Sequence, residues 1–218
     1  ILPKDKQAKA AEHMVECLKP YNGHLSTGIQ STHRFMLELT RRGYHKQAGE
    51  LLLLNTFPSW GHTIKEGATT IWERWDGYIT GRGFQHPGMN SFNHWALGAV
   101  GEWVWRHLAG INPDDAQPAF THFTLHPQPI EGVTWAKGRF ECVRGLIVSN
   151  WKIDNETYTY AIEVPANTTA TVILPLARLE DVKESKKSLT QALGVSRCEQ
   201  VGNDVRCQVV SGTFSFEW

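Results

Sequence analysis

Glu73 sits between two indoles in "GATTIWERW" (67–75), and Asp76 follows three positions later. A carboxylate flanked by large apolar rings is either a solvated surface charge or a general base, a role worth roughly 10²–10⁴-fold in rate. If "TTIWERWDGY" makes one helical turn, Thr69, Thr70, Glu73 and Asp76 share a face while Arg74 points elsewhere. His94 lies 21 positions beyond Glu73. A neutral imidazole both donates and accepts hydrogen bonds, which suits a hydroxyl-rich ligand; the same spacing also fits a core histidine. Six of the nine tryptophans (Trp60, Trp72, Trp75, Trp95, Trp103 and Trp105) fall within 46 residues. Their flat apolar faces with a polar edge serve a core or stack on sugar rings.

Other chemistries find little support. The chain has no Gly-rich phosphate loop, no nucleophile elbow and no helical zinc pair. His62, His86 and His94 have no metal-ligand spacing, so neither a metal nor a cofactor is expected. Lys+Arg and Asp+Glu balance at 22 each, which argues against nucleic acid and anionic membranes as partners. No run of roughly 18 apolar residues is long enough to cross a membrane as a helix. The cysteines at 17, 142, 198 and 207 lack zinc-site spacing. If Gly202-Asn203 forms a two-residue turn, Cys198 and Cys207 face each other at a non-hydrogen-bonded position. A disulfide is then geometrically allowed, the alternative being two free thiols.

Two halves of different period position these residues. In the first, Ala8, Ala11, Met14, Val15 and Leu18 recur at helical spacing up to Pro20. Further helices are expected over about 32–42, 44–55 and 91–110, the last capped by Ser91 and ended by Gly110. On its inner stripe, Gly98 and Gly101 cost about 1 kcal/mol each relative to Ala and suggest a close neighbour. Residues 56–90 read as an irregular Gly- and Trp-rich region. "INPDDAQP" (111–118) marks a boundary. Beyond it "TYTYAIEV" alternates with period two, "PAN" is expected to turn the chain into "TTATVILP", and "RCQVV" and "GTFSFEW" alternate as well. The expected architecture is α+β and multidomain, with helices over 1–112 and an antiparallel β-sandwich over 113–218.

"GYHKQAGELLLLNTFPSWGHTIKEGATTIWERWDGY" and "MNSFNHWALGAVGEWVWRHLAGI" closely resemble the C-terminal part of bacterial α-L-rhamnosidases, as does "GHLSTG" (23–28). The resemblance continues through "FTHFTLHPQP", "AKGRFECVRGLIVSNWK" and "VPANTTATVILP" and covers nearly the whole chain. It implies the C-terminal part of an (α/α)6-barrel catalytic domain followed by a β-sandwich. It implies removal of terminal α-L-rhamnose from glycosides with inversion, through two carboxyls about 6.5–9.5 Å apart. By the same resemblance the Glu of "WERW" is the general base, which falls on Glu73, and the His of "NHW" contacts the sugar, which falls on His94. Trp72 and Trp75 become sugar walls or packing behind the base, and Trp60 and Asp76 join the substrate-binding set.

The family's acid motif has no counterpart between Ile1 and Asn22. A twelve-helix barrel also exceeds the four to six helices of average length that residues 1–110 could hold, roughly. A truncated chain that needs the N-terminal remainder of its polypeptide as partner, and that turns over poorly alone, is therefore expected. The alternatives are another (α/α)6 sugar hydrolase or phosphorylase, and a non-catalytic sugar-binding fragment.

Overall fold

The computed structural model describes residues 2–218, which divide into two units on either side of the Trp103–Val104 bond. In the first, the helical spacing from Asp5 onward gives α1 (Lys4–Glu16), which buries Ala11. Leu18, just beyond it, is also buried. Helix α2 (Thr32–Arg41) buries Thr32, Met36 and Leu39 on one stripe. Gly43, at φ +88°, lets the chain turn into α3 (His45–Leu53), which buries Ala48, Gly49 and Leu51. Trp103 anchors this corner. It is fully buried, donates from Nε1 to Thr40 Oγ1 at 2.7 Å and stacks on His45 at 5.4 Å.

Two expectations change in the first unit. A short helix, α4 (Trp60–Lys65), lies in the stretch read as irregular, its start capped by Ser59 accepting from the His62 N–H at 3.0 Å. The single helix expected over 91–110 is not formed. Residues 91–94 are an irregular loop with a bend at 92–93, followed by a 3-10 helix (Trp95–Val100) and one α turn, α5 (Gly101–Trp103). The cause is competition for backbone groups: the His94 N–H bonds to Ile71 O at 2.9 Å, and Ser91 pairs with Glu73. The cap is thus His94, whose Nδ1 accepts from the Ala96 N–H, and not Ser91. The Gly98 Cβ position would meet Ile71 at 3.1 Å, whereas Gly101 faces open space. A small hairpin pairs β1 (Tyr78–Ile79) with β2 (Gly83–Phe84) across a three-residue loop.

The second unit opens with a π-helical turn (Val104–Leu108) and continues as sheet. Its strands are β3 (Ile111–Pro113), β4 (His122–Leu125), β5 (Trp135–Cys142), β6 (Gly145–Asp154), β7 (Thr157–Leu174), β8 (Lys183–Glu184), β9 (Lys187–Ser188), β10 (Val195–Val201) and β11 (Asp204–Glu217). "PAN" is not a turn between strands. β7 runs through it for 18 residues, bent where Asn167 takes φ +58°. β11 follows the bend with its own register shift between Val210 and Gly212.

The bent pair therefore has different neighbours along its length. Residues 157–163 of β7 pair with β6, and 169–172 pair with β4. The β4–β7 pairing is parallel, a departure from the all-antiparallel expectation. Period-two alternation buries Tyr160, Ile162, Val164, Ala170, Val172 and Leu174 from β7 and Val205, Cys207, Val209, Phe214 and Phe216 from β11.

Polar groups inside this core are matched. Ser149 donates to Ala109 O at 2.5 Å, so its 2.8 Å contact with Tyr160 has the phenol as donor. Burial holds the Tyr160 phenol above its ordinary range. Gly110, at φ +81°, brings the chain against the 126–127 backbone, where an added Cβ would lie 2.3 Å from Pro127 N. Gly110→Ala is expected to lower unfolding free energy by roughly 2–4 kcal/mol, through the left-handed backbone and the overlap together. Urea denaturation of the two proteins reads this as a lower midpoint at unchanged slope.

Candidate active site

"TTIWERWDGY" makes no helix. Residues 69–77 form bends and turns, held in place by backbone pairing to the 91–94 loop. The Glu73 N–H donates to Ser91 O at 2.8 Å, and Glu73 Oε2 accepts from the Ser91 N–H at 2.8 Å. Thr70 Oγ1 donates to Phe92 O, and the His94 N–H to Ile71 O. One carboxylate oxygen of Glu73 is thus fixed by a main-chain donor. Among the described residues Oε1 has no hydrogen bond and Glu73 has no ion pair. The side chain is half-buried and lines a cavity of about 620 Å³.

The cavity walls combine the Glu73–Asp76 segment with Leu25–Ile29, Phe57–Pro58, Met89, Leu97 and Tyr21. Most of this wall is apolar. Trp75 contributes a ring face and also holds the opposite wall, its Nε1 donating to Thr27 O at 2.9 Å. Trp60 stands behind it, edge to face at 5.1 Å, with its own Nε1 on Leu97 O at 3.0 Å. Trp72 faces away from the cavity: it is buried and packs edge to face on Phe92 at 5.1 Å.

Asp76 and Arg74 form a forked pair, Nε to Oδ1 at 2.9 Å and Nη2 to Oδ2 at 3.2 Å. The hydrogen bonds from Arg74 hold the Asp76 carboxyl below its ordinary range, against partial burial that would raise it. Arg74 thus gives these hydrogen bonds to Asp76, while the nearby Glu73 charge acts on it through space.

Of the residues singled out in the sequence, Glu73, Trp75 and Asp76 meet on the cavity wall. His94, Trp60 and Trp72 do not line it. His94 fixes the loop that fixes Glu73, and its Nδ1, acting as acceptor, leaves the ring proton on Nε2. His62, His86 and His94 do not cluster, and among the described residues no group of three His, Cys, Asp or Glu could hold a metal ion. The sequence reading missed the walls from Leu25–Ile29, Phe57–Pro58 and Met89. "GHLSTG" was the available signal for the first of these.

The Arg74–Asp76 pair has a testable acid limb. A depressed folded-state carboxyl contributes stability above the unfolded pKa of about 3.9 and loses it as pH falls through the lower folded value. Both groups are partly exposed, so Asp76→Asn is expected to cost about 0.5–1 kcal/mol at neutral pH. That difference should shrink as pH falls below the unfolded value of about 3.9 when urea midpoints of the two proteins are compared across pH.

Family models add an independent finding. The bacterial alpha-L-rhamnosidase 6 hairpin glycosidase domain matches residues 1–108, and the bacterial alpha-L-rhamnosidase C-terminal domain matches residues 110–189. An alpha-L-rhamnosidase of Streptomyces avermitilis is 37% identical over 192 residues, covering 88% of this chain and 18% of that protein. One from Formosa agariphila is 31% identical over 217 residues, covering 100% of this chain and 23% of that protein. The crystal structure of the Streptomyces avermitilis alpha-L-rhamnosidase complexed with L-rhamnose superposes with a TM-score of 0.90 at 34% identity. That match covers 100% of this chain and 20% of the other. The chain thus spans about a fifth of the length of these relatives. With both family domains matched in order, the chain belongs to the bacterial α-L-rhamnosidases, as a segment running from the six-hairpin glycosidase domain into the C-terminal β domain.

Proposed function

We propose that this chain supplies the general-base side of a glycoside hydrolase site that removes terminal α-L-rhamnosyl groups with inversion. The observation that carries this reading is Glu73: half-buried, tethered through Oε2 to the Ser91 N–H, with Oε1 uncommitted beside the cavity. Such a carboxylate is oriented but not neutralised. In the reaction it takes a proton from a water as that water attacks the anomeric carbon. The glycosidic oxygen leaves from the opposite face, protonated by an acid across the site. The cavity volume lies in the range of small-molecule sites, about 300–1,000 Å³. Its apolar wall of Leu25, Ile29, Phe57, Trp75 and Met89 suits a sugar whose sixth carbon is a methyl group.

The acid must come from elsewhere in the whole protein. Asp76 is the second carboxyl on the described wall, and Arg74 holds it ionised, the wrong form for a proton donor. Ile64, Phe84, Met89 and Trp95 are 66–77% exposed, apolar surface of the kind that the remaining hairpins of a barrel would cover. In this reading residues 1–112 are the helical catalytic portion and 113–218 the sandwich. The partners are the rhamnose-bearing carbohydrate and the rest of the polypeptide.

In the whole protein, Glu73→Gln should lower kcat on an aryl α-L-rhamnoside about 10²–10⁴-fold with KM little changed. Turnover within a few-fold of wild type would remove Glu73 as base. The 218-residue chain alone is expected to give turnover near background in the same assay. Rates matching the whole protein would show that no outside acid is needed.

A further inference from the structure

Cys198 and Cys207 are placed together by the β10–β11 hairpin, next to a break in its register. Val201 faces Asp204 across Gly202-Asn203, so the two-residue turn forms as its sequence suggests. Glu199 then pairs with Arg206, after which the register shifts and Ser196 pairs with Gln208. The extra residue is absorbed at Arg197, which takes φ +49°. The turn's register, carried one step past Glu199–Arg206, sets Cys198 opposite Cys207, and their sulfurs lie 2.9 Å apart with the Cys207 S–H donating to Cys198 Sγ.

The two thiols differ in access. Cys207 is buried, whereas Cys198 is half-exposed and lines a cavity of about 490 Å³ with Leu179, Leu189, Ser196 and Arg197. The Cys207 bond holds the Cys198 thiol below its ordinary range, opposed by partial burial; the same bond, with burial, pushes the Cys207 thiol up. An accessible, acidified thiol with a second thiol in contact is the arrangement of an attacking and a resolving cysteine.

We propose that Cys198 and Cys207 form a dithiol modification site that reacts with a hydroperoxide and closes to a disulfide between β10 and β11. The Cys198 thiolate attacks the terminal peroxide oxygen. An S–O bond forms, the O–O bond breaks, and the departing oxygen takes a proton to leave as water or an alcohol. Cys207 sulfur then attacks the Cys198 sulfenic sulfur. The S–S bond forms, the S–O bond breaks, and the hydroxide leaves as water with the Cys207 proton. Both sulfurs are oxidised by one electron each and one peroxide is reduced, so the step balances. The site lies wholly within the second unit and does not rest on the glycosidase reading.

The intact chain is treated with hydrogen peroxide at neutral pH, quenched with an alkylating reagent and digested without reductant for mass mapping. The expected product is the Cys198–Cys207 cross-link, two hydrogens lighter than the dithiol and reopened by dithiothreitol. Cys198→Ser should abolish it, and Cys207→Ser should stop at a dimedone-reactive sulfenate on Cys198. Because Cys207 is buried, its variant is first checked for a native circular dichroism spectrum. The half-exposed Cys198→Ser variant carries the control if the other does not fold. The proposal is overturned if both thiols are still alkylated when exposed Cys17 is fully oxidised. It is equally overturned if Cys198 is recovered joined to Cys17 or Cys142.

Discussion

The geometry of the cavity depends on a two-way backbone exchange between Glu73 and Ser91. Each residue gives its N–H to the other's segment, one to a carbonyl and one to a carboxylate, at 2.8 Å. Neither loop has regular structure to place it, and the exchange substitutes for a ladder. It fixes the Glu73 side chain through its own backbone partner, so carboxylate position and loop position are one variable. The His94–Ile71 bond and the contact of Ile71 with Gly98 extend the same seam towards the 3-10 helix.

Charge is distributed along this seam with little waste. Arg74 neighbours Glu73 in sequence, yet its guanidinium is committed to Asp76 by two bonds. The Glu73 charge still acts on the same guanidinium through space and, with the Asp76 bonds, holds Arg74 above its ordinary range. In the second unit, continuity comes from the β7–β11 pair, whose matched bends let two long strands serve different neighbours at each end. Strands this long would otherwise over-extend a twisted sheet.

Where local pattern decides structure, the sequence could be read. The first three helices and the β10–β11 turn follow from spacing, proline and glycine alone, and the alternation of "TYTYAIEV" predicts its buried face. Local pattern failed where distant groups compete for the same backbone. Residues 91–110 have the apolar stripe of one helix. Their first amides are instead drawn into pairing with a loop some twenty positions earlier, and no periodicity records that. "PAN" has turn residues, but β11 carries a matching bend, so the strand bends without ending. Glu73 was identifiable because its motif resembles a family pattern. The wall from Leu25–Ile29 was harder to assign because it is held in place through the Thr27 carbonyl, and main-chain atoms leave no trace in residue type.

Trp75 carries two duties in one side chain. Its ring shapes what the cavity admits, and its indole nitrogen ties down the opposite bank. Replacing that ring would at once reshape the cavity and release the Thr27 segment it holds, so the two effects cannot be separated by a change at this position.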